Sequence, residues 1–282
     1  MGKLERISFQ GEPGAYSHQA CVEMFPGHDV VPCHSFVDAI AAVHSGAADL
    51  AMLPVENSTY GRVADVHQLL PDSGLYIVGE HFVRVHANLL AKKGTALADI
   101  TRATSHTVLL GQVRGFLKDH DIMPVTGADT AGSARIVSEG DDPSLGAFAS
   151  ELSAEIYGLD VLARHVEDNT HNTTRFLACS PEPRAVTGDH MMTSFLFRVR
   201  NIPAALYKAM GGFATNGVNM VKLESYMLDG SFTATQFYAD IEGHPDDPAV
   251  RRAMEELGFF TSYVKILGSY PASSLRFDAA QS

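Results

Sequence analysis

The feature that most constrains the fold is a change of pattern at a short polar segment. Before residue 181, apolar strands alternate with helices, which is typical of a parallel α/β region. Residues 181–189 are rich in proline, glycine and charge and are nearly free of large apolar residues, which indicates a linker. Beyond this linker the order becomes strand, helix, strand, strand, helix, strand. We therefore predict two folding units of different type in one chain.

The domain boundaries follow from this pattern. We predict an N-terminal α/β region over residues 1–180, a linker over 181–190, a C-terminal domain over 191–271 and a polar tail over 272–282. The chain of 282 residues is also longer than the roughly 100–150 residues typical of one domain. The βαββαβ order of the C-terminal domain is the ferredoxin-like plan, and its middle hairpin is predicted to turn at residues 228–230.

Charge and apolar patterning exclude several classes of protein. The formal net charge of −12 disfavours binding to nucleic acid or to an anionic membrane, because both partners repel an acidic surface. No stretch reaches the roughly 18 apolar residues that a membrane helix needs. No apolar leader follows the basic residues near Met1. We expect a cytoplasmic protein without a nucleic-acid or membrane partner.

Cysteine, histidine and glycine patterns give no sign of a metal or an organic cofactor. Cys21, Cys33 and Cys179 are widely spaced, which supports neither a disulfide framework nor a zinc ribbon. The histidines are scattered and contain no H-E-x-x-H motif. The glycine-rich residues 11–14 lack the Gly-Lys-Ser/Thr of a nucleotide loop. We therefore expect no metal and no cofactor.

The segment from Asp168 to Phe176 concentrates hydroxyls, amides and a guanidinium beside an apolar strand. In such a cluster Thr174 can donate to a leaving oxygen, Arg175 can pair with a carboxylate, and Phe176 can exclude water. A polar loop that bonds its own backbone through Asx and Ser/Thr turns accounts for the same composition. Spacing alone leaves both interpretations open.

These residues also carry a family resemblance. The run Asn172-x-Thr174-Arg175-Phe176 resembles the N-x-T-R-F signature of prephenate dehydratases. Further matches follow the family's order between residues 5 and 177. They are residues 11–17 (the glycine-rich opening), 54–58 with Gly61 and Val63 (P-x-E-N-S…G), Ser105-His106 with Gln112, and 149–159 (the helix ending in Tyr-Gly-Leu).

The resemblance implies an α/β fold with a two-lobed, periplasmic-binding-protein-like catalytic region that binds prephenate between its lobes. The implied reaction is decarboxylation and dehydration of prephenate to phenylpyruvate in L-phenylalanine biosynthesis, with Thr174 as the donor to the departing hydroxide. One departure stands at Thr107-Val108, where the family has Pro-Gln. The implied substrate contacts are Glu56, Asn57, Ser58, Ser105, Gln112, Asn172, Arg175 and Phe176.

Five of these contact residues also have an interpretation without a ligand. Glu56 fits a solvated loop acid, Asn57, Ser58 and Ser105 fit helix caps, and Gln112 fits a surface helix position.

The C-terminal domain resembles the ACT regulatory domain that follows this catalytic region in the family. The resemblance implies L-phenylalanine as an allosteric effector, bound between paired ACT domains in a homodimer or homotetramer. Ala204 stands where the family has glycine, and Tyr226-Met227 stand where it has Arg-Pro. A domain that only dimerises is the alternative. The implied effector residues are Ala204, Ala205, Leu206, Asn219, Glu224 and Ser225.

Two further functions stay open. Arogenate carries an amine in place of the keto group of prephenate and is the nearest competing substrate. A non-catalytic amino-acid sensor, made of a two-lobed binding region fused to an ACT domain, is the alternative from another class. Thr174 favours the enzyme, because a sensor has no evident need for a hydroxyl in this cluster.

Overall fold

The computed structural model describes residues 5–185, 187–200, 202–227 and 234–278. It divides into two compact units. The first runs to His67 and resumes over His81–Phe176, and the second takes Gln68–Glu80 and continues from Leu177. The predicted linker boundary at 181–190 stays a prediction.

Strands and helices alternate through the N-terminal half, as the sequence predicts. In chain order they are β1 (Arg6–Gln10), α1 (Tyr16–Met24), β2 (Asp29–Cys33), α2 (Phe36–His44), β3 (Leu50–Asn57), β4 (Gly61–Arg62), α3 (Ala64–Leu69), β5 (Tyr76–Arg84), β6 (Asn88–Ala91), β7 (Arg102–Ser105), α4 (Thr107–Leu110), α5 (Arg114–Asp119), β8 (Met123–Thr126), α6 (Thr130–Glu139), β9 (Leu145–Ala149), α7 (Glu151–Tyr157), β10 (Asp160–Ala163) and β11 (Thr173–Ser180).

These strands form two sheets. The first has the order β2-β1-β3-β11-β5 with β4 beside β3, and the second has the order β10-β6-β9-β7-β8. The chain leaves the first sheet after β5 and returns at β11. Two crossovers, residues 85–87 and 164–172, therefore join two α/β lobes.

Local chemistry explains where several helices begin and end. Ser35 accepts a hydrogen bond from the Asp38 N–H at 3.1 Å and caps α2, as the three-residue spacing of Ser35 and Asp38 predicts. Ser150 caps α7 in the same way, and Gly158 ends that helix in the left-handed region with φ 66°. Both positions are readable as start and stop signals in the sequence.

One predicted helix is correct only in part. The helical period over residues 105–117 predicts helix, whereas Ser105 ends strand β7 and the helical residues form two short helices, α4 and α5. The break is caused by pairing, because Ser105 lies opposite Thr126 in the parallel ladder of β7 and β8. His106 then caps α4 through its ring nitrogen.

The C-terminal elements follow the predicted βαββαβ order, with a sheet of order β13-β14-β12-β15. Helices α8 and α9 pack on one face of this sheet against the buried Phe195, Phe197 and Phe237. The predicted turn at 228–230 lies outside the described residues. The elements are β12 (Met191–Val199), α8 (Ala205–Thr215), β13 (Met220–Met227), β14 (Ala234–Glu242), α9 (Pro248–Phe260), β15 (Thr261–Pro271) and α10 (Leu275–Asp278).

Part of the segment predicted as a tail is helical. Arg276 in α10 donates to the carboxylate of Glu80 through Nε at 2.5 Å and through Nη2 at 2.7 Å. Within the described parts of the chain, no helix is both long and apolar enough to cross a membrane.

Ala204 precedes α8 in a left-handed conformation, with φ 62° and ψ 14°. A Cβ atom costs about 1–2 kcal/mol there, and glycine removes this strain at a smaller entropic cost. Ala204→Gly is therefore expected to raise the free energy of unfolding by about 0.5–1 kcal/mol, measured by urea denaturation.

Ala214→Gly is the matched control, because Ala214 is exposed within α8. It is expected to lower the same free energy by about 0.5–1 kcal/mol. Equal destabilisation by both changes would contradict the assigned strain.

Candidate active site

A chain of oriented amides connects the ends of two neighbouring strands. Asn57 ends β3, and its Oδ1 accepts hydrogen bonds from the N–H groups of Thr59 at 2.9 Å and Tyr60 at 3.0 Å. These two bonds fix the orientation of the amide. Its Nδ2 therefore faces the start of β11, where it donates to Asn172 Oδ1 at 2.6 Å and to Thr174 Oγ1 at 2.9 Å.

The amide chain continues into the second lobe. Asn172 donates from Nδ2 to Gln112 Oε1 at 2.7 Å. Asn172 and Gln112 are only 2% and 8% exposed, so a missing partner would leave a buried polar group unsatisfied. The network therefore holds the strand ends of one lobe against the segment between α4 and α5 of the other.

Thr174 is half-buried in β11. Because its hydroxyl oxygen accepts from Asn57, the hydroxyl proton stays available for a second hydrogen bond. The arrangement offers a ligand an oriented neutral donor. The high intrinsic pKa of an alcohol makes Thr174 a hydrogen-bond donor to developing negative charge and a poor acid.

Arg175 provides positive charge beside this donor. Its side chain is 3% exposed, and Nη1 lies 3.8 Å from Oε2 of the half-exposed Glu56. A buried guanidinium needs an anionic neighbour, and Glu56 provides one at the end of β3. The pair combines a carboxylate with a cation that suits a carboxylate ligand.

The remaining predicted contacts differ in how they are placed. Ser58 is exposed, donates from Oγ to the His171 carbonyl at 2.8 Å and accepts from the Thr173 N–H at 2.9 Å. Ser105 is fully buried and donates to the Phe148 carbonyl at 2.7 Å. Phe176 is 1% exposed within β11.

The structure thus brings six of the predicted residues together, namely Glu56, Asn57, Gln112, Asn172, Thr174 and Arg175.

The glycine-rich loop of residues 11–14 is hydrogen-bonded to residues 150–157 of the second lobe, and we call this contact the clasp. The Gly14 carbonyl accepts from the hydroxyls of Ser150 at 2.5 Å and Ser153 at 3.0 Å. Tyr157 donates to the Pro13 carbonyl at 2.8 Å. Because α7 and its cap Ser150 carry these donors, three hydrogen bonds join the loop after β1 to the second lobe.

His18 supports the clasp from behind. Its Nδ1 accepts from the Gly14 N–H at 3.0 Å, which requires an unprotonated nitrogen. Burial lowers the pKa of His18 and so favours the neutral ring.

Two residues without a predicted contact organise the site, namely Asp168, which in the sequence only opens the polar segment, and Tyr60. Asp168 accepts from the N–H groups of Arg114 at 3.0 Å and Gly115 at 3.1 Å, and donates its own N–H to the Gln112 carbonyl at 2.6 Å. It therefore fixes the backbone that presents Gln112. Tyr60 donates from its hydroxyl to the Val108 carbonyl at 3.3 Å and bridges the lobes. No local pattern identifies either contact.

The predicted effector residues lie in the second unit. Ala204, Ala205 and Leu206 open α8, and Asn219 precedes β13. Glu224 lies in β13 with its carboxylate 3.5 Å from Lys222 Nζ. The alternating exposure along β13 directs Glu224 and Ser225 to opposite faces of the sheet. In the part of the chain that the structure describes, no cluster of three or more histidine, cysteine, aspartate or glutamate residues is arranged to hold a metal ion.

Comparison with known proteins gives a consistent result. The family model described as prephenate dehydratase matches residues 7–184. A bifunctional N-acyl-homoserine lactone acylase/prephenate dehydratase of Komagataeibacter europaeus is 54% identical to this chain in sequence. The aligned region covers 96% of this chain and 97% of that protein. Arogenate dehydratase/prephenate dehydratase 1 of Arabidopsis thaliana, a chloroplastic protein, is 37% identical in sequence. The aligned region covers 96% of this chain and 73% of that protein.

Among solved structures, the prephenate dehydratase of Arthrobacter aurescens in complex with L-Phe superimposes with a TM-score of 0.86. Its sequence is 29% identical, and the superposition covers 98% of this chain and 97% of that chain. The similarity therefore extends through the C-terminal unit.

The clasp generates a prediction at Gly14. An added Cβ would lie 2.5 Å from Ser153 Oγ and 2.9 Å from Ser153 Cα, and φ is +93°. Gly14→Ala is expected to lower the free energy of unfolding by about 3 kcal/mol in urea denaturation, because strain and overlap add.

Gly27→Ala is the matched control. Gly27 has φ +79° and open space around its Cα, so this change carries only the backbone strain of about 1 kcal/mol. Equal costs at the two positions would show that the clasp is not tightly packed.

Proposed function

The chain belongs to the prephenate dehydratase family, and from this premise we propose that it converts prephenate to phenylpyruvate, carbon dioxide and water. The observation that carries the proposal is the Thr174 hydroxyl, whose oxygen accepts from Asn57 at 2.9 Å and whose proton is thereby left for a ligand. This hydrogen-bonded pair matches what the reaction requires of a protein.

In that reaction the bond between the ring and its carboxylate breaks, and its electron pair enters the ring. The bond from the ring to the hydroxyl oxygen then breaks, and the departing hydroxide takes a proton to become water. Aromatisation supplies the driving force. The protein mainly has to orient the substrate and stabilise charge on the leaving oxygen. Thr174 donates to that oxygen, and solvent delivers the proton.

Binding of the substrate requires recognition of carboxylates. We assign this role to Arg175, whose guanidinium is buried and lies 3.8 Å from Glu56. A carboxylate on the substrate can compete for its fork of N–H groups. Asn57, Gln112 and Asn172 orient the donors around the ring.

Arogenate is the alternative substrate of the same site. A relative at 37% identity is named for both arogenate and prephenate. The two compounds differ only in an amine or a keto group away from the breaking bonds. Thr174 would therefore act on both.

Hydrolysis of N-acyl-homoserine lactones is a second candidate activity. It is favoured by the relative at 54% identity that is named for both activities and matches nearly the whole chain. Amide hydrolysis breaks a carbonyl–nitrogen bond by attack of water and releases a fatty acid and homoserine lactone. Oriented donors such as the Thr174 hydroxyl can stabilise the resulting oxyanion, but the attacking water also needs a base.

We propose that the second unit is an ACT domain that binds L-phenylalanine and pairs with a second copy, in a homodimer or homotetramer. The βαββαβ order and the likeness to an L-Phe complex support this. Strand β13 lies at the edge of its sheet and exposes Val221, Leu223 and Met227 by 40%, 41% and 63%. Apolar side chains on an edge strand favour association.

The dehydratase proposal is tested by substrate comparison in the wild type and in Thr174→Ala. The wild type is expected to form phenylpyruvate from prephenate, and Thr174→Ala to lose at least ~100-fold in kcat. Thr173→Ala is the control, since the neighbouring Thr173 hydroxyl lies 3.5 Å from Arg84 Nη1, and it should keep most of the turnover. Arogenate and an N-acyl-homoserine lactone are assayed beside prephenate. Turnover of the lactone alone would defeat the dehydratase proposal.

Effector binding gives a separate prediction. L-phenylalanine is expected to lower prephenate turnover and to slow amide exchange in residues 204–225, because a ligand stabilises the state that it binds. D-phenylalanine serves as the control. An unchanged rate together with unchanged exchange would favour a domain that only dimerises, and sedimentation would then report its stoichiometry.

A further inference from the structure

The two crossovers between the lobes lie side by side and are bonded to each other. The Val85 N–H donates to the Asn172 carbonyl at 2.9 Å, and the Val166 N–H donates to the Ala87 carbonyl at 2.9 Å. The second crossover ends at Asn172, within the amide network of the site. Its conformation therefore decides where Asn172 and the following Thr174 stand.

A buried carboxylate joins these crossovers. Glu167 lies in the second, its side chain is 3% exposed, and Oε1 is 2.8 Å from Nδ1 of His86 in the first. Its Oε2 accepts from the Ala87 N–H at 2.9 Å. Burial raises the pKa of Glu167, but the hydrogen bonds from His86 and Ala87 outweigh it and leave the pKa below its ordinary value. An ionised carboxylate only accepts, so His86 carries its proton on Nδ1.

The surrounding contacts hold this link in one geometry. The rings of His86 and His165 stack with centroids 3.8 Å apart, and His165 has a positive φ of 51°. The Tyr16 hydroxyl donates to the His86 carbonyl at 2.7 Å. A strained backbone of this kind persists only where its neighbours fix it.

Glu167 is followed directly by Asp168, which binds the Gln112 carbonyl and the start of α5. A shift of the crossover at residue 167 would thus move Gln112 and Asn172 together. Misplacement of a donor by about 1 Å can cost roughly 100-fold in rate.

We infer that Glu167 is a positioning residue of the proposed dehydratase: by binding His86 and Ala87 across the crossovers, it sets the placement of Asn172, Gln112 and Thr174. The inference rests on the proposed function, and it assigns Glu167 no contact with substrate. It predicts a loss in kcat rather than in stability alone.

The test compares Glu167→Ala with Glu167→Gln. The alanine removes both hydrogen bonds and is expected to lower kcat at least ~10-fold at saturating prephenate. The glutamine can accept from Ala87 through its oxygen and donate to Nδ1 in the other tautomer of His86. It is expected to restore kcat to within about threefold of the wild type.

Glu23→Ala is the control, because the more exposed Glu23 forms a carboxylate–imidazole pair with His81 at 2.7 Å, and neither residue belongs to a crossover. It should leave kcat unchanged. Combined with Thr174→Ala, Glu167→Ala should cost less than it does alone, since both changes act on the same hydroxyl. Full additivity, or an unchanged kcat of folded Glu167→Ala, would overturn the inference.

Hydrogen exchange separates this outcome from failure of the proposed function. If the wild type turns over neither prephenate nor arogenate, the proposed function fails. Amide hydrogen exchange then tests by itself whether Glu167 fixes the positions of the crossovers. Glu167→Ala should then speed exchange across residues 106–117 and 164–176, whereas Glu23→Ala should not. Exchange as in the wild type would overturn the inference.

Discussion

The site depends on the pairing of two crossovers that carry the chain between the lobes. Each short segment satisfies backbone groups of the other, so neither can shift alone without leaving a buried polar group unpaired. The amide chain from Asn57 through Asn172 to Gln112 spans both lobes, and it can form only if the crossovers hold these lobes at a fixed separation. Placement of the Thr174 hydroxyl thus depends on the connection between the lobes as much as on strand β11, which bears it.

The clasp at Gly14 restrains the same separation from another element. Two serine hydroxyls of the second lobe share the Gly14 carbonyl, and Gly14 has no room for a side chain there. The positive φ of Gly14 also favours glycine, so backbone conformation and packing both require glycine at this position. The glycine-rich opening that follows strand β1 therefore has a packing role at Gly14. Its glycines permit close approach of protein to protein.

The order of strands and helices could be predicted because its signals are local. Apolar runs, the caps at Ser35 and Ser150, and the stop at Gly158 are each decided within a few residues. The failure over residues 105–117 has a long-range cause, since strand pairing withdraws Ser105 from the helix that its period suggests. Family resemblance brought Asn57 and Thr174 together, although they are 117 residues apart. His86 and Glu167, separated by 81 residues, carry no pattern that would have joined them.

The donor-rich chemistry of the site also separates the two candidate activities in physical terms. Loss of carbon dioxide and hydroxide requires only orientation and a hydrogen bond to one leaving oxygen, which the pairing of Asn57 with Thr174 can supply. Amide hydrolysis additionally requires a water molecule and a base to activate it. Glu56 is the carboxylate beside the donors, and its Oε2 lies 3.8 Å from the Nη1 of Arg175. The buried cation beside the donors suits a carboxylate ligand, and the proposed dehydration, unlike hydrolysis, requires no base to activate water.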